Sequence, residues 1–337
     1  MFNFDRERYI KIQTGAVSMA GEIDKTIGDL ISGGAKNLFF LGTGGAGILM
    51  LPAVHLLKSQ SNFPVFISDP AELVLQGDVH LGFDSIVVMP SLSGKTKESI
   101  AAMEYAQARG AKVIIFTGYA DRPLAEKADF LFVNFGEDDT SSESFYLQSL
   151  LVAASIMKSQ GEFPGYEQLI REVIRLPSLL VDVKAAFENK AEKMAQVIAD
   201  NDYHIITSSG NTWAEAFYYG MCILEEMQWI RTRPIHGSDF FHGTLELLDN
   251  NVSIIILKGE DATRLIMDRV EKFANEYSKI VNVIDTKTFD LPGISQETRA
   301  LISPALLSAV LERVSVHLEF KRKHPLTTRR YYNQFEY

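Results

Sequence analysis

Glu225, Glu226, His236 and His242 fall close together in the stretch from Ser208 to Gly243, SSGNTWAEAFYYGMCILEEMQWIRTRPIHGSDFFHG. A carboxylate and an imidazole beside a hydroxyl-lined, phosphate-sized cradle are the parts needed to move protons on a sugar phosphate. On a helix, Glu226 lies three or four positions from Cys222, Ile223, Trp229 and Ile230. That is the kind of apolar setting that tunes a carboxyl toward general-base work. Helical position alone equally fits a surface or salt-bridged glutamate. His242 follows Glu226 by sixteen positions. His236 either lines the same site or is a satisfied structural histidine. Trp213, Trp229, Phe240 and Phe241 read as packing residues first.

Three turns could hold an anion. After the run SIVVMP comes Ser91-Leu92-Ser93-Gly94-Lys95-Thr96-Lys97-Glu98, which sets three hydroxyls and a glycine at the expected start of a helix. Ordinary capping by Ser93 or Thr96 needs one hydroxyl; three suit the three oxygens of a phosphate monoester. The turn Gly42-Thr43-Gly44-Gly45-Ala46-Gly47 would let backbone N–H groups approach an anion at a helix N-terminus. It departs from G-x-G-x-x-G, lacks the ribose-binding acid and lacks a P-loop Lys-Ser/Thr, so a plain tight turn is an equal reading. Thr207-Ser208-Ser209-Gly210-Asn211-Thr212 repeats the hydroxyl pattern, and Thr43 and Ser208 stand 165 positions apart. Glu143 opens a further helix after DDTSS, with Ser141 or Ser142 as its cap.

These turns need strands and helices to position them. NLFFLGT (37–43), PVFIS (64–68), SIVVMPS (85–91), KVIIFTG (112–118) and FLFVNF (130–135) read as buried strands. Helical patterns occupy 45–60, 96–109, 120–128 and 143–158. After a helical stretch at 166–200 the alternation restarts, with strands at 203–209, 252–259 and 279–285 and helices at 212–229 and 261–277. The expected class is α/β, with two doubly wound, mostly parallel sheets. No low-complexity linker separates the halves, which predicts that they pack tightly.

Composition narrows the function. The chain has 337 residues, 46% hydrophobic and 23% charged, which fits two domains with full cores. A net charge of −10 argues against nucleic acid as the main partner. The basic cluster Lys321-Arg322-Lys323 with Arg329-Arg330 reads as a solvated helix end and tail, or as a partner or anion contact. No apolar run reaches the roughly 20 residues of a membrane span, and MFNFDRERYIKI lacks a secretory pattern. The lone Cys222 excludes an internal disulfide, and no Cys/His spacing suggests zinc. A cytoplasmic location with no membrane partner is expected.

SLSGKTKE resembles the Ser-x-Ser-Gly-x-Thr-x-Glu phosphosugar loop of the sugar isomerase (SIS) domain family. The duplicated α/β pattern is similar to the paired SIS domains in the isomerase half of glucosamine 6-phosphate synthase. The resemblance implies that Ser91, Ser93 and Thr96 hold a sugar 6-phosphate, with Thr43 and Gly44 lining the pocket. It implies a catalytic pair of Glu226 and His242, since family sites place a His-Gly sixteen positions after the glutamate. Ser209, His236 and Asp239 are further candidate substrate contacts. EMQWIRTRPIHGSDFFHG and HPLTTRRYYNQFEY most resemble the branch that cleaves 6-phosphorylated sugar–amine adducts. Two features depart from relatives: no lysine follows Lys323, and Gly-Ser-Asp-Phe (237–240) replaces the usual Ser-Gly-Glu-Phe. No glutaminase domain precedes the first strand, so glutamine-fed amination is not expected.

The resemblance implies a helical segment at 1–34, SIS domains at 35–175 and 176–320, and a tail at 321–337 near the active site. The expected activity is deglycation of a 6-phosphorylated amino-acid–sugar adduct, in a homodimer or larger homo-oligomer with shared sites. No metal or redox cofactor is expected, because an imine already supplies the electron sink. An aldose–ketose phosphosugar isomerase and a sugar-phosphate-sensing regulator are the alternatives.

Overall fold

A parallel strand covered on both faces must be apolar along its whole length, and the longest runs of this chain meet that demand. The computed structural model describes residues 1–134, 136, 142–332 and 334. It divides into two units, Glu7–Pro177 and Met1–Arg6 with Ser178–Tyr337. In the first unit the strands are β1 (Asn37–Leu41), β2 (Val65–Ser68), β3 (Ser85–Ser91), β4 (Lys112–Thr117) and β5 (Phe130–Val133). They form one sheet in the order β2-β1-β3-β4-β5, every pairing parallel. β1 and β3 are buried at every position. Phe39, Leu41, Val87, Met89, Val113 and Ile115 pack on Leu73, Ala102, Met103 and Leu124 from the helices on one face.

The second unit repeats the scheme with β6 (Tyr203–Ser208), β7 (Arg231–His236), β8 (Ser253–Lys258) and β9 (Val281–Asp285). Their order is β7-β6-β8-β9, again parallel throughout. Ile205, Ile254 and Ile256 pack against Phe240, Met267, Val270 and Ala274. The chain is α/β, as the alternation of apolar runs and helical patterns predicts.

Several elements differ from the sequence reading. The helix expected over 45–60 is broken into Gly45–Ile48 and Leu51–Gln60, with Pro52 in the first turn of the second piece, where it displaces no hydrogen bond. The stretch 166–200 is likewise two helices, Tyr166–Val173 and Leu176–Ala199. Pro70–Gln76 and β7 were not expected at all. Phe135, expected to end β5, and Ser141, one of two candidate caps, lie outside the described residues. Glu143 is wholly buried and accepts from the Tyr9 hydroxyl at 3.0 Å.

The helix Gln296–Arg322 is apolar and long enough to cross a membrane by length and composition, yet 89% of its apolar window is buried inside the protein. It is the core helix of its unit and carries the wholly buried Arg313. Arg313 Nε and Nη2 donate to the two Glu188 oxygens at 2.8 and 3.0 Å, and Nη2 also donates to the Phe2 carbonyl. Phe2 N–H and His317 Nε2 reach Glu188 Oε1 at 2.8 and 3.0 Å. Burial by itself would raise the Glu188 carboxyl, but Arg313, the Phe2 N–H and His317 together hold it at about 2.

Candidate active site

In the first unit the hydroxyl loop grows directly from the end of β3. Ser91 Oγ accepts the Gly94 N–H at 3.2 Å and Ser93 Oγ accepts the Lys95 N–H at 3.4 Å, which curls the chain back over the strand end. Gly94 has φ +64°, and a Cβ there would lie 2.7 Å from Arg122 Cβ, so the turn needs glycine for conformation and for space. Thr96 occupies the N-cap position of Lys97–Ala108, but its side chain makes no capping hydrogen bond. Capping therefore does not account for the third hydroxyl. β1 is the neighbour of β3, so Thr43 and Gly44 open at the same carboxyl edge of the sheet, where α/β proteins bind ligands. A Cβ on Gly47 would fall 2.3 Å from the Gly42 carbonyl, so close approach explains Gly42 and Gly47, while Gly44 is required by its φ of +59°.

Because the Thr96 hydroxyl makes no cap bond, Thr96→Val should leave the melting temperature unchanged. It should weaken sugar 6-phosphate binding about tenfold, the worth of one hydrogen bond to a charged group. Calorimetric titration beside a thermal melt checks both halves of this expectation.

The matching turn of the second unit is already filled. Asn211 N–H donates to Asp261 Oδ2 at 2.9 Å, and Thr263 N–H and Oγ1 bind Asp261 Oδ1 at 2.9 and 2.5 Å. A Cβ on Gly210 would strike Asp261 Oδ2 at 2.3 Å. The chain's own carboxylate sits against this turn, at the place an outside anion would need. Ser208 Oγ bonds Thr212 Oγ1 at 2.7 Å and the Leu257 carbonyl at 2.9 Å. Ser209, expected as a substrate contact, is 1% exposed and donates to the Thr263 carbonyl and hydroxyl, each at 3.1 Å. Its hydroxyl ties the turn to the next loop.

The segment leading to Glu226 is not the regular helix expected over 212–229. Trp213–Tyr218 is α-helical, and Tyr219–Glu225 widens into a π-helix. Glu226 N–H donates to the Met221 carbonyl five residues back at 3.1 Å, and Ile230 N–H closes on the Leu224 carbonyl at 2.8 Å. Trp229 absorbs the reversal with φ +56°, a left-handed conformation costly for a bulky side chain. Such wide turns and strained residues concentrate at functional sites. Their effect here is to turn Glu226 out of the apolar core. Cys222, Ile223 and Met227 remain buried, while Glu226 forms an ion pair with Arg329 Nε at 2.9 Å. The expected apolar setting is thus replaced by a guanidinium contact.

Arg329 belongs to the basic cluster, in which Lys323 and Arg330 are exposed as on a solvated tail while Lys321, Arg322 and Arg329 are half-buried. Arg322 donates to the Gln228 carbonyl, Arg329 holds Glu226, and the Arg330 guanidinium lies 4.2 Å over the Trp229 ring. Trp229 is 40% exposed and contacts His324 edge-on at 4.5 Å, so it is not a core packing residue. Phe240, by contrast, is fully buried. Glu226, Trp229, Arg329 and Arg330 line a cavity of about 1030 Å³ together with Tyr203, Arg231, Thr232, Tyr331 and Tyr332. The charge run itself was the available signal for Arg329 and Arg330; nothing local in the sequence marks Trp229.

The histidines lie elsewhere in the unit. His236 ends β7 as a strand residue, Nδ1 accepting the Ser238 N–H at 3.2 Å and the ring meeting Trp213 edge-on at 5.7 Å. Asp239 and His242 follow, both exposed, with the His242 N–H on the Asp239 carbonyl at 2.9 Å. Tyr203 pairs with Arg231 at one end of the β6–β7 ladder, and Ser208 with His236 at the other. Glu226 therefore precedes the strand and His242 follows it. The six residues make five steps of about 3.3 Å, so the two ends lie roughly 17 Å apart. Glu226 and His242 thus flank opposite ends of β7.

Residues 34–158 match the SIS domain. This segment is an SIS domain. The chain is 28% identical to fructosamine deglycase FrlB of Bacillus subtilis over 320 residues, covering 94% of this chain and 97% of that protein. It is 24% identical to fructoselysine 6-phosphate deglycase of Escherichia coli K12 over 308 residues, with 90% and 87% covered. The structure superposes on a candidate phosphosugar isomerase from Salmonella typhimurium LT2 with a TM-score of 0.87 at 26% identity, covering 96% of this chain and 99% of that one.

Proposed function

We propose that this protein is a deglycase that hydrolyses a 6-phosphorylated sugar–amino-acid adduct to glucose 6-phosphate and a free amino acid. The names of relatives aligned over nine-tenths of the chain support phosphosugar processing of a deglycase type. The observation that carries the reading is Glu226, a carboxylate turned by a π-helix into a cavity and held there by a guanidinium.

Ser91, Ser93 and Thr96 take the 6-phosphate, with Thr43 and Gly44 beside them. With the sugar ring open, Glu226 removes a proton from C1 of the ketosamine; the C–H electrons form the C1–C2 double bond and the C2 oxygen gains a proton. Return of a proton to C2 and loss of the nitrogen proton convert this enaminol to a C1 imine. Water adds to the imine and the C–N bond breaks with protonation of the amine. Arg329 orients Glu226 and must yield its contact as the carboxylate takes the proton. His242 assists ring opening or protonates the leaving nitrogen, supplied by a second copy of the chain because its own chain holds it at the far end of β7. Asp239 and His236 flank that histidine. The working unit is then a homodimer with shared sites.

A coupled assay for glucose 6-phosphate over a panel of fructose 6-phosphate–amino-acid adducts tests the proposal. Release from at least one adduct, abolished by Glu226→Gln, is the expected result. Interconversion of aldose and ketose phosphates without any amine release would instead make the protein an isomerase.

A further inference from the structure

We propose that the cavity beside Glu226 receives the amine half of the substrate, and that this half is an α-amino acid whose carboxylate is gripped by Arg231 and Arg330. The proposal rests on the deglycase reading, in which Glu226 acts at C1, the carbon that bears the amine; whatever the nitrogen carries must extend from that point.

The charges lining the cavity do not cancel. Three guanidiniums, Arg231, Arg329 and Arg330, face two carboxylates, Glu225 and Glu226. Glu226 is taken by Arg329 at 2.9 Å, and Glu225 accepts from Thr232 Oγ1 at 2.6 Å. Arg231 and Arg330 have no acidic partner among the described residues. Arg330 is nonetheless oriented, its guanidinium 4.2 Å over the Trp229 ring and 5.9 Å from that of Tyr331. A guanidinium resting over an aromatic ring has N–H groups to spare for a planar, bidentate acceptor, and a carboxylate is the acceptor of that shape. The strained Trp229 backbone acquires a purpose here, since it swings the indole out as the shelf on which Arg330 rests. Tyr203, Ile230, Tyr331 and Tyr332 complete walls that suit an aliphatic or aromatic side chain. A volume of about 1030 Å³ holds an amino acid with room to spare.

A sugar phosphate could present an anion to the same arginines, so the test separates the two sources. The ligands are 1-amino-1-deoxyhexitol 6-phosphates carrying either glycine or methylamine on nitrogen. Both lack the C2 carbonyl, so neither can be enolised and wild-type protein can be used. Calorimetry should find the glycine compound bound 10- to 100-fold more tightly than the methylamine compound. Arg330→Gln should erase most of that difference while leaving the methylamine compound's affinity unchanged; Arg231→Gln provides the second variant. Equal affinity of the two compounds for wild type would overturn the proposal. So would an equal loss for both on Arg330→Gln, which would assign the arginine to the phosphate. Neither measurement needs turnover. Discrimination without deglycation would sink the enzymatic reading and keep the subsite, and deglycation without discrimination would do the reverse.

Discussion

A mixture of Glu226→Gln and His242→Ala chains should regain about a quarter of wild-type turnover, although each variant alone should fall by about a thousandfold or more. The expectation follows from β7. Glu226 and His242 flank opposite ends of one strand, and the proposed site draws the two from different chains. In a closed two-fold pair, each site then combines the glutamate of one copy with the histidine of the other. Random assortment of the two variants makes about half of the dimers mixed. A mixed dimer has one site with both native residues and one with neither, which gives the quarter. Refolding the variants together and following glucose 6-phosphate release makes the measurement. Mixtures no more active than their components would remove the shared site. Full activity in Glu226→Gln alone would remove the base.

The second large effect concerns stability. Arg313→Leu should cost about 3–5 kcal/mol, because it leaves the Glu188 carboxylate without the guanidinium that offsets its burial. The same contact sets the acid limb. Glu188 titrates at about 2 in the folded chain, below its value near 4.3 when unfolded. The unfolded state therefore binds more protons between those values, so the contribution is complete above about pH 5 and is lost as pH falls toward 2. At most about 3 kcal/mol is at stake over that window, reduced by solvent screening of this half-buried group. Denaturant midpoints at pH 7 and pH 3 should differ clearly for wild type and much less for Glu188→Gln. An unchanged difference in that variant would assign the acid sensitivity to other carboxylates.

How far the sequence foretold these features depended on whether each had a local cause. β1, β3 and β8 were legible because burial on both faces demands unbroken apolar residues. β7 was not, since it pairs only with β6 and its residues Arg231, Arg233 and Pro234 sit on a half-exposed edge where proline is tolerated. The hydroxyl loop from Ser91 to Thr96 announces itself by composition. The turn around Ser209 has the same composition and is distinguished only by Asp261, which approaches from 50 residues away. The π-helix before Glu226 left no periodic trace that differs from an α-helix over seven residues. Nor does the basic tail reveal in its own residues that it folds back onto Glu226.

The plugged turn of the second unit has a further consequence for how the chain reads its solution. A duplicated fold with two open turns would titrate with two anions per chain, and salt or free phosphate would compete at both. With Asp261 already tethered against one of them, the expected stoichiometry is a single phosphate per chain at a hydroxyl turn, and removing that tether by Asp261→Asn should weaken the plug rather than alter the first loop. In the second unit one carboxylate makes that turn an internal brace.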